Sequence, residues 1–169
     1  MQKSLRKYLF LVCLINFFVT GHAFSQNDDW TSYGKDPGGG HYSSADEITP
    51  ENVKNLRQVW VHRSGDYHEG GNWREGGLGS TLQTSFGVTP ILVDEILFYC
   101  TPYNRVIALN SETGEEKWVF DPKMEIEGKA LLHCRGVSSW KDQTRFESEE
   151  CSHRIIAITI DAELFSIDG

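Results

Sequence analysis

From Val88 onward, apolar runs alternate with short polar breaks. "VTPILV" is followed by Asp94-Glu95, "ILFYC" by "TPYN", "RVIALN" by "SETG", and "EEKWVF" closes the series. Runs of this length between turn residues predict four short strands, and no stretch carries a helical period. The second and third runs do not alternate; they are apolar on both faces. A sheet with one wet face alternates, so the pattern predicts a small sheet stacked between other sheets. Upstream, "NVKNLRQVWVHRSGD" predicts one lead-in strand, about Leu56 to His62. Residues 26–50 are polar and turn-rich, with Pro37-Gly38-Gly39-Gly40, and residues 65–80 form a second glycine-rich loop. Trp30 and Tyr33 in the first loop are expected to cover something, because an isolated coil has no use for two large aromatics.

The strand series then starts again. "LLHCRGV", Leu131 to Val137, predicts a new first strand; Arg154 to Thr159 predicts a second and Glu163 to Asp168 a third. Laying "ELFSID" on "RVIALN" places Leu164 on Val106, Ser166 on Ala108 and Asp168 on Asn110, an offset of 58 residues. A period of that size belongs to architectures built from repeated small sheets.

The stretch "ALNSETGEEKW", Ala108 to Trp118, has a physical reading in this setting. Asn110 ends the third strand, where its side-chain amide can bond turn backbone, and the Thr113 hydroxyl can do the same. Gly114 permits a positive φ. Trp118 then falls on the fourth strand. There its ring is expected to be mostly buried against a neighbouring sheet, with its indole N–H on a backbone carbonyl.

Composition adds compartment. Lys3, Arg6 and Lys7 precede an apolar run, Tyr8 to Val19, and small residues then offer a cleavage point after Ala23 or Ser25. This is a secretory signal pattern, so residues 1–25 are expected to be removed and residues 26–169 to form the exported domain. Residues 1–25 carry those three basic groups and no acidic one, so their loss moves the net charge from -8 to -11. An acidic exported chain excludes nucleic acid as a partner. Cys100, Cys134 and Cys151 remain, enough for one bridge and one spare thiol.

The pattern Ala108-x-Asn110-x-x-Thr113-Gly114-x-x-x-Trp118 resembles the tryptophan-docking motif of the eight-bladed, pyrroloquinoline quinone-dependent alcohol and glucose dehydrogenases, with Asn110 where that family usually has Asp. "WTSYGKDPGGGHYSSADEITPENVKNLRQVW", Trp30 to Trp60, resembles their opening segment, and Val88 to Pro122 resembles their first full blade. "CRGVSSW" and "CSHRIIAITIDAELFSID" resemble the next blade in the glucose-dehydrogenase-like branch.

The resemblance implies an all-β chain: a partial eight-bladed propeller with a lead-in strand, one complete four-stranded blade and three strands of the next. It implies pyrroloquinoline quinone and Ca2+ as cofactors, an aldose or polyol as substrate, a quinone or cytochrome as electron acceptor, and a periplasmic location. Arg135 matches the family arginine that contacts the quinone; a fixed guanidinium suits a cofactor with three carboxylates and a developing oxyanion. His133 is the histidine nearest the ring position. Gly87 stands where many members have Glu or Gln. The adjacent cysteines on which the methanol-oxidising members stack the quinone are Lys129 and Ala130 here, which favours the sugar or polyol branch. The family's calcium ligands and catalytic Asp come later than the matched segment. The expectation is therefore an amino-terminal fragment that needs the missing C-terminal blades and is inactive alone. The alternative is a non-enzymatic envelope propeller that uses the same docking repeat as a scaffold.

Two smaller expectations concern the remaining cysteines and histidines. Cys134 and Cys151, placed on neighbouring strands, predict a disulfide closing a loop of about 17 residues, worth roughly 3 kcal/mol by chain entropy, with Cys100 a buried free thiol. His41, His62, His68 and His153 lack metal-ligand spacing, and Glu69, Trp73 and Glu75 sit in a loop that could border a substrate entrance.

Overall fold

The computed structural model describes residues 29–68, 83–126, 129 and 131–169. The expected signal peptide, most of the 65–80 loop with Glu69, Trp73 and Glu75, and Ala130 lie outside the described residues.

The described chain is all-β apart from one 3-10 turn at Val53–Asn55. Nine strands follow: β1 (Gln83–Thr89), β2 (Ile91–Val93), β3 (Ile96–Cys100), β4 (Val106–Asn110), β5 (Glu116–Phe120), β6 (Leu131–Gly136), β7 (Ser138–Lys141), β8 (His153–Ile158) and β9 (Leu164–Asp168). They form a four-stranded sheet in the order β2-β3-β4-β5, a three-stranded sheet β7-β8-β9 and a pair β1-β6. The two larger sheets are antiparallel throughout, whereas β1 and β6 run parallel.

Local chemistry explains the first blade. Pro90 has no N–H to give a ladder, so the run "VTPILV" divides there into the end of β1 and the start of β2. Asp94 and Glu95 join β2 to β3 with φ of 48° and 65°, the two positive values that let a tight hairpin follow the strand twist. The Asp94 N–H is held by Asp29 Oδ1 at 3.1 Å, and the Ser111 N–H reaches the Glu95 carbonyl at 3.0 Å.

The 58-residue repeat is legible in backbone hydrogen bonds. Between β3 and β4, the Thr101 N–H meets the Arg105 carbonyl and the Asn104 N–H meets the Thr101 carbonyl. Between β8 and β9, the Thr159 N–H meets the Glu163 carbonyl and the Ala162 N–H meets the Thr159 carbonyl. Asn104 and Ala162, 58 positions apart, share a positive φ of 57° and 65°. Ser111 to Glu95 is matched by Gly169 to His153 at the same offset. The β7–β8 connection breaks the equality, running from Lys141 to His153 where β2–β3 needs two residues.

The sheets stack as the unbroken apolar runs predict. Ile91, Val93, Phe98, Cys100, Val106 and Ala108 on one face of β2–β5 meet Cys134, Val137, Ile155 and Ala157, with Trp118, Phe120, Phe165 and Ile167 around them. Ile107 and Leu109 point to the other face and are also buried.

Three expectations need correction. Residues 56–62 form no strand among the described residues; they run beside the first blade, attached through side chains. "LLHCRGV" does make a strand, β6, but it pairs with β1, and the first strand of the second blade is β7. The disulfide is Cys100–Cys134, with Cα atoms 5.9 Å apart, and Cys151 is the free thiol. Leu132 and Cys134 are the buried alternate residues of β6, and Cys134 joins the core where Cys100 ends β3. Because β6 sits beside β1, Cys134 is not on a neighbour of β8. Cys151 lies in the β7–β8 connection, its N–H on Asp168 Oδ1 at 2.8 Å. The loop closed is 34 residues, worth about 4 kcal/mol in the chain-entropy account.

Candidate functional site

The docking motif forms on the expected residues, with one exchange of roles. Asn110 Oδ1 accepts from the Glu112 N–H at 3.1 Å, the Thr113 N–H at 2.8 Å and the Thr113 hydroxyl at 3.0 Å. Thr113 Oγ1 accepts from the Glu115 N–H at 3.3 Å. Gly114 has φ of 72°, and a Cβ there would lie 2.6 Å from the Trp60 ring. Glycine is therefore required both for the turn and for the approach of an aromatic face. Trp60 Nε1 donates to the Ser111 carbonyl at 3.1 Å. The indole-to-carbonyl bond expected of Trp118 is thus made here by Trp60, 58 positions earlier. Trp118 lies on β5 opposite Ala108 and is partly rather than mostly buried, its ring 5.7 Å from that of Phe98.

The parallel pair β1-β6 places the candidate ligand residues. Arg135 is exposed near the end of β6. With Gly87, Thr89, Gly136, Val137, Ser138 and Tyr33 it lines a cavity of about 460 Å³. Gly87, which departs from the family pattern in the sequence, is thus brought to the same cavity as Arg135. A Cβ on Gly87 would meet nothing within 4 Å, so the position has room that no side chain fills. His133, two residues before Arg135, does not line the cavity. Its Nδ1 is buried with no hydrogen-bond partner among the described residues. Its carbonyl accepts from Asn104 Nδ2 at 3.2 Å, while Asn104 Oδ1 accepts from the Ile160 N–H at 2.9 Å. Asn104 is 2% exposed, so this one amide ties β6 to the β8–β9 turn from inside. Sequence reasoning missed it; its place in the turn "TPYN" was the available signal.

A second polar cluster, also missed, lies on the opposite side of the first blade. Arg105 grips Asp66 with two hydrogen bonds, at 2.8 and 2.6 Å, and donates to the Ser64 carbonyl at 2.7 Å. The hydrogen bond to Asp66 is the main reason the guanidinium pKa is raised. His62 Nδ1 lies 2.7 Å from the Tyr99 hydroxyl, and its Nε2 lies 3.4 Å from Glu116. Burial is the main cause that pushes the Tyr99 phenol up to about 12; Asp66 and Glu116 add to it and Arg105 opposes. His62, Ser64, Asp66 and Tyr99 line a cavity of about 610 Å³ together with the apolar Leu97 and Leu109. His153 stands apart from both regions, its Nε2 2.8 Å from Ser139 Oγ. Among the described residues no group of three or more His, Cys, Asp or Glu side chains could hold a metal ion.

Comparison with known proteins gives this arrangement a context. The family profile "PQQ: Glucose/ethanol/alcohol dehydrogenase, beta-propeller domain" matches residues 30–169. The quinoprotein glucose dehydrogenase of Escherichia coli (strain K12) is 33% identical over 148 residues, covering 85% of this chain and 18% of that protein. The glycerol dehydrogenase large subunit of Gluconobacter oxydans (strain 621H) is 29% identical over 142 residues, covering 83% and 18%. Among solved structures, the quinohemoprotein alcohol dehydrogenase of Comamonas testosteroni superposes with a TM-score of 0.59 at 25% identity, over 83% of this chain and 18% of that one. The chain thus spans 18% of the length of each of these relatives.

Proposed function

Because the chain belongs to the pyrroloquinoline quinone dehydrogenase β-propeller family, we propose that it forms the cofactor-gripping first blades of an exported dehydrogenase. That enzyme oxidises an aldose or polyol and passes the electrons to a quinone or cytochrome acceptor. The observation that carries the reading is the meeting of Arg135 and Gly87 in one cavity at the ends of two parallel strands. The residues fit the group. Arg135 brings a guanidinium to the cavity, and Gly87 and Gly136 leave room beside it.

The chemistry the quinone supplies when bound is two-electron oxidation of a CH–OH group to a carbonyl. The chain's own part is binding and orientation. Arg135 would hold a carboxylate of the group and supply a fixed positive charge to the site. Thr89 and Ser138 are the hydroxyl-bearing residues of the same lining, apart from Tyr33. His133 precedes Arg135 by two residues on β6, but its buried Nδ1 does not open to the cavity, and no contact with the group is assigned to it. The described residues supply no ligand set for Ca2+, and no step is assigned to it. We assign the proton-accepting base to the remainder of the propeller that the relatives possess. Residues 26–169 alone, given quinone and calcium, are accordingly expected to reduce no dye with glucose, glycerol, quinate or short alcohols. The apolar run and small-residue cleavage point at the amino terminus support export to the periplasm.

The test is a graft. Residues 29–169 replace the matched segment of the Escherichia coli glucose dehydrogenase, and dye reduction with glucose is followed as quinone is added. The expected result is activity that depends on added quinone, with Arg135→Ala raising the quinone needed by about tenfold or more. A folded, active graft in which Arg135→Ala reconstitutes at the same quinone concentration overturns the assignment.

A further inference from the structure

The Arg135 cavity has one wall from a distant part of the chain. Tyr33 joins Gly87, Thr89 and the β6–β7 residues around it. The loop that carries Tyr33 is closed by its own bonds. The Lys35 N–H meets the Ser32 carbonyl at 3.0 Å, the Gly39 N–H meets the Asp36 carbonyl at 2.9 Å, and the His41 N–H meets the Gly34 carbonyl at 3.1 Å. Gly34 and Gly39 approach so closely that a Cβ on Gly34 would lie 2.5 Å from the Gly39 Cα. Two anchors fix this loop to the blades. Trp30 and Leu92 exchange backbone hydrogen bonds at 2.7 and 3.0 Å, and the Ser139 N–H reaches the Thr31 carbonyl at 3.4 Å.

Tyr33 itself is held at its main chain and at the edge of its ring. Its carbonyl accepts from Trp30 Nε1 at 3.2 Å, and its ring stands edge-on to His41 at 5.0 Å. The residue is nonetheless 68% exposed. A large aromatic side chain on a doubly anchored loop, left to solvent beside a guanidinium, gains little from core burial. It suits a partner that is flat, apolar on its faces and anionic at its edge. Arg135 takes the charge and Tyr33 takes the flat surface, and the cavity volume lies in the range of small-molecule sites.

We propose that Tyr33 is a positioning residue of the Arg135 cavity: its ring is the side wall against which a planar, carboxylate-bearing ring system rests while Arg135 holds a carboxylate. This rests on reading that cavity as the quinone site. His41 backs the Tyr33 ring and sets its orientation.

Equilibrium dialysis of the purified chain tests it, with two probes: pyrroloquinoline quinone, which is planar, and citrate, a tricarboxylate with no ring. Tyr33→Ala should weaken quinone binding about five- to tenfold and leave citrate unchanged, since ring contacts are worth that much. Tyr33→Phe should bind quinone like the parent, and Arg135→Ala should weaken both probes. A Tyr33→Ala chain that binds quinone as the parent does, while Arg135→Ala loses it, overturns the role of Tyr33 and leaves the cavity reading standing. Loss in Tyr33→Phe equal to that in Tyr33→Ala overturns the wall contact. Quinone binding unchanged in every variant, or none by the parent up to roughly 1 mM, overturns the cavity reading and this inference with it.

Discussion

The β2–β5 sheet has two apolar faces, and they are covered in different ways. Toward β7–β9, Phe98, Cys100, Val106 and Ala108 are at most 1% exposed and meet Ile155 and Ala157 from a second sheet. Toward the amino-terminal segment, Leu97, Tyr99 and Leu109 meet residues 60–67, and a cavity of about 610 Å³ is left between them. Two pleated sheets each offer rows of side chains that interdigitate. A lone segment without a ladder partner offers one row. It is held instead by directional bonds at alternate residues: Trp60 to Ser111, His62 to Tyr99, Ser64 and Asp66 to Arg105. One face is secured by area, the other by polar clips.

The sharpest way to break that contrast uses adjacent residues of β3. Phe98→Ala should cost about 3–5 kcal/mol and Leu97→Ala about 1, measured by denaturant unfolding, because only Phe98 leaves a closed cavity. Equal costs would mean that the two faces are packed alike.

A smaller effect should come from the clips. Asp66 is 6% exposed, and Asp66→Asn leaves Arg105 facing an amide in place of a carboxylate. Loss of one partner from this largely buried pair should weaken the attachment of residues 60–67 by about 2 kcal/mol. The readout is tryptic cleavage at Arg63, which should quicken by up to about thirtyfold through local opening. If cleavage there stays at the parent rate, the segment is held by something other than its polar bonds.

The smallest effect distinguishes the closed face by pH. Burial is the main cause that lowers the His153 pKa from 6.5, and Lys141 adds to it. Asp94, Asp168 and Asp29 oppose, and the imidazole packs edge-on to Phe98 at 5.9 Å. The unfolded chain therefore takes up the proton first. The stability this site contributes is present above 6.5 and is lost as pH falls below it toward the folded value. His153→Gln should flatten the slope of stability against pH in that window. A slope unchanged by the substitution would assign the acid sensitivity to other groups.

Much of the first blade is legible in the linear pattern. The four strands from Ile91 to Phe120, the Asn110–Gly114 turn and the 58-residue repeat depend on neighbours in sequence: apolar runs, a capping amide, a residue free to take positive φ. Arg135 is legible as a ligand residue only through its resemblance to a family, and Gly87 only as a departure from it. That the two line one cavity follows from the parallel pairing of β1 with β6. The polar run "QTSFGVT" does not announce that pairing.

What the tertiary structure alone decided was the choice of partners. The sequence offers three cysteines beyond the signal pattern, and strand order rather than loop length joined Cys100 to Cys134. It offers Trp60 and Trp118 at equivalent repeat positions, and only the packing shows Trp60 lying on Gly114. Tyr33 reads in sequence as an aromatic in need of a surface; the anchored loop instead presents it at the mouth of the Arg135 cavity. Strand and turn preferences arise from the chain within a few residues of itself, so a linear pattern carries them. Pairings across 34 residues of loop, or across two sheets, depend on where many local pieces come to rest together, and no local pattern encodes that.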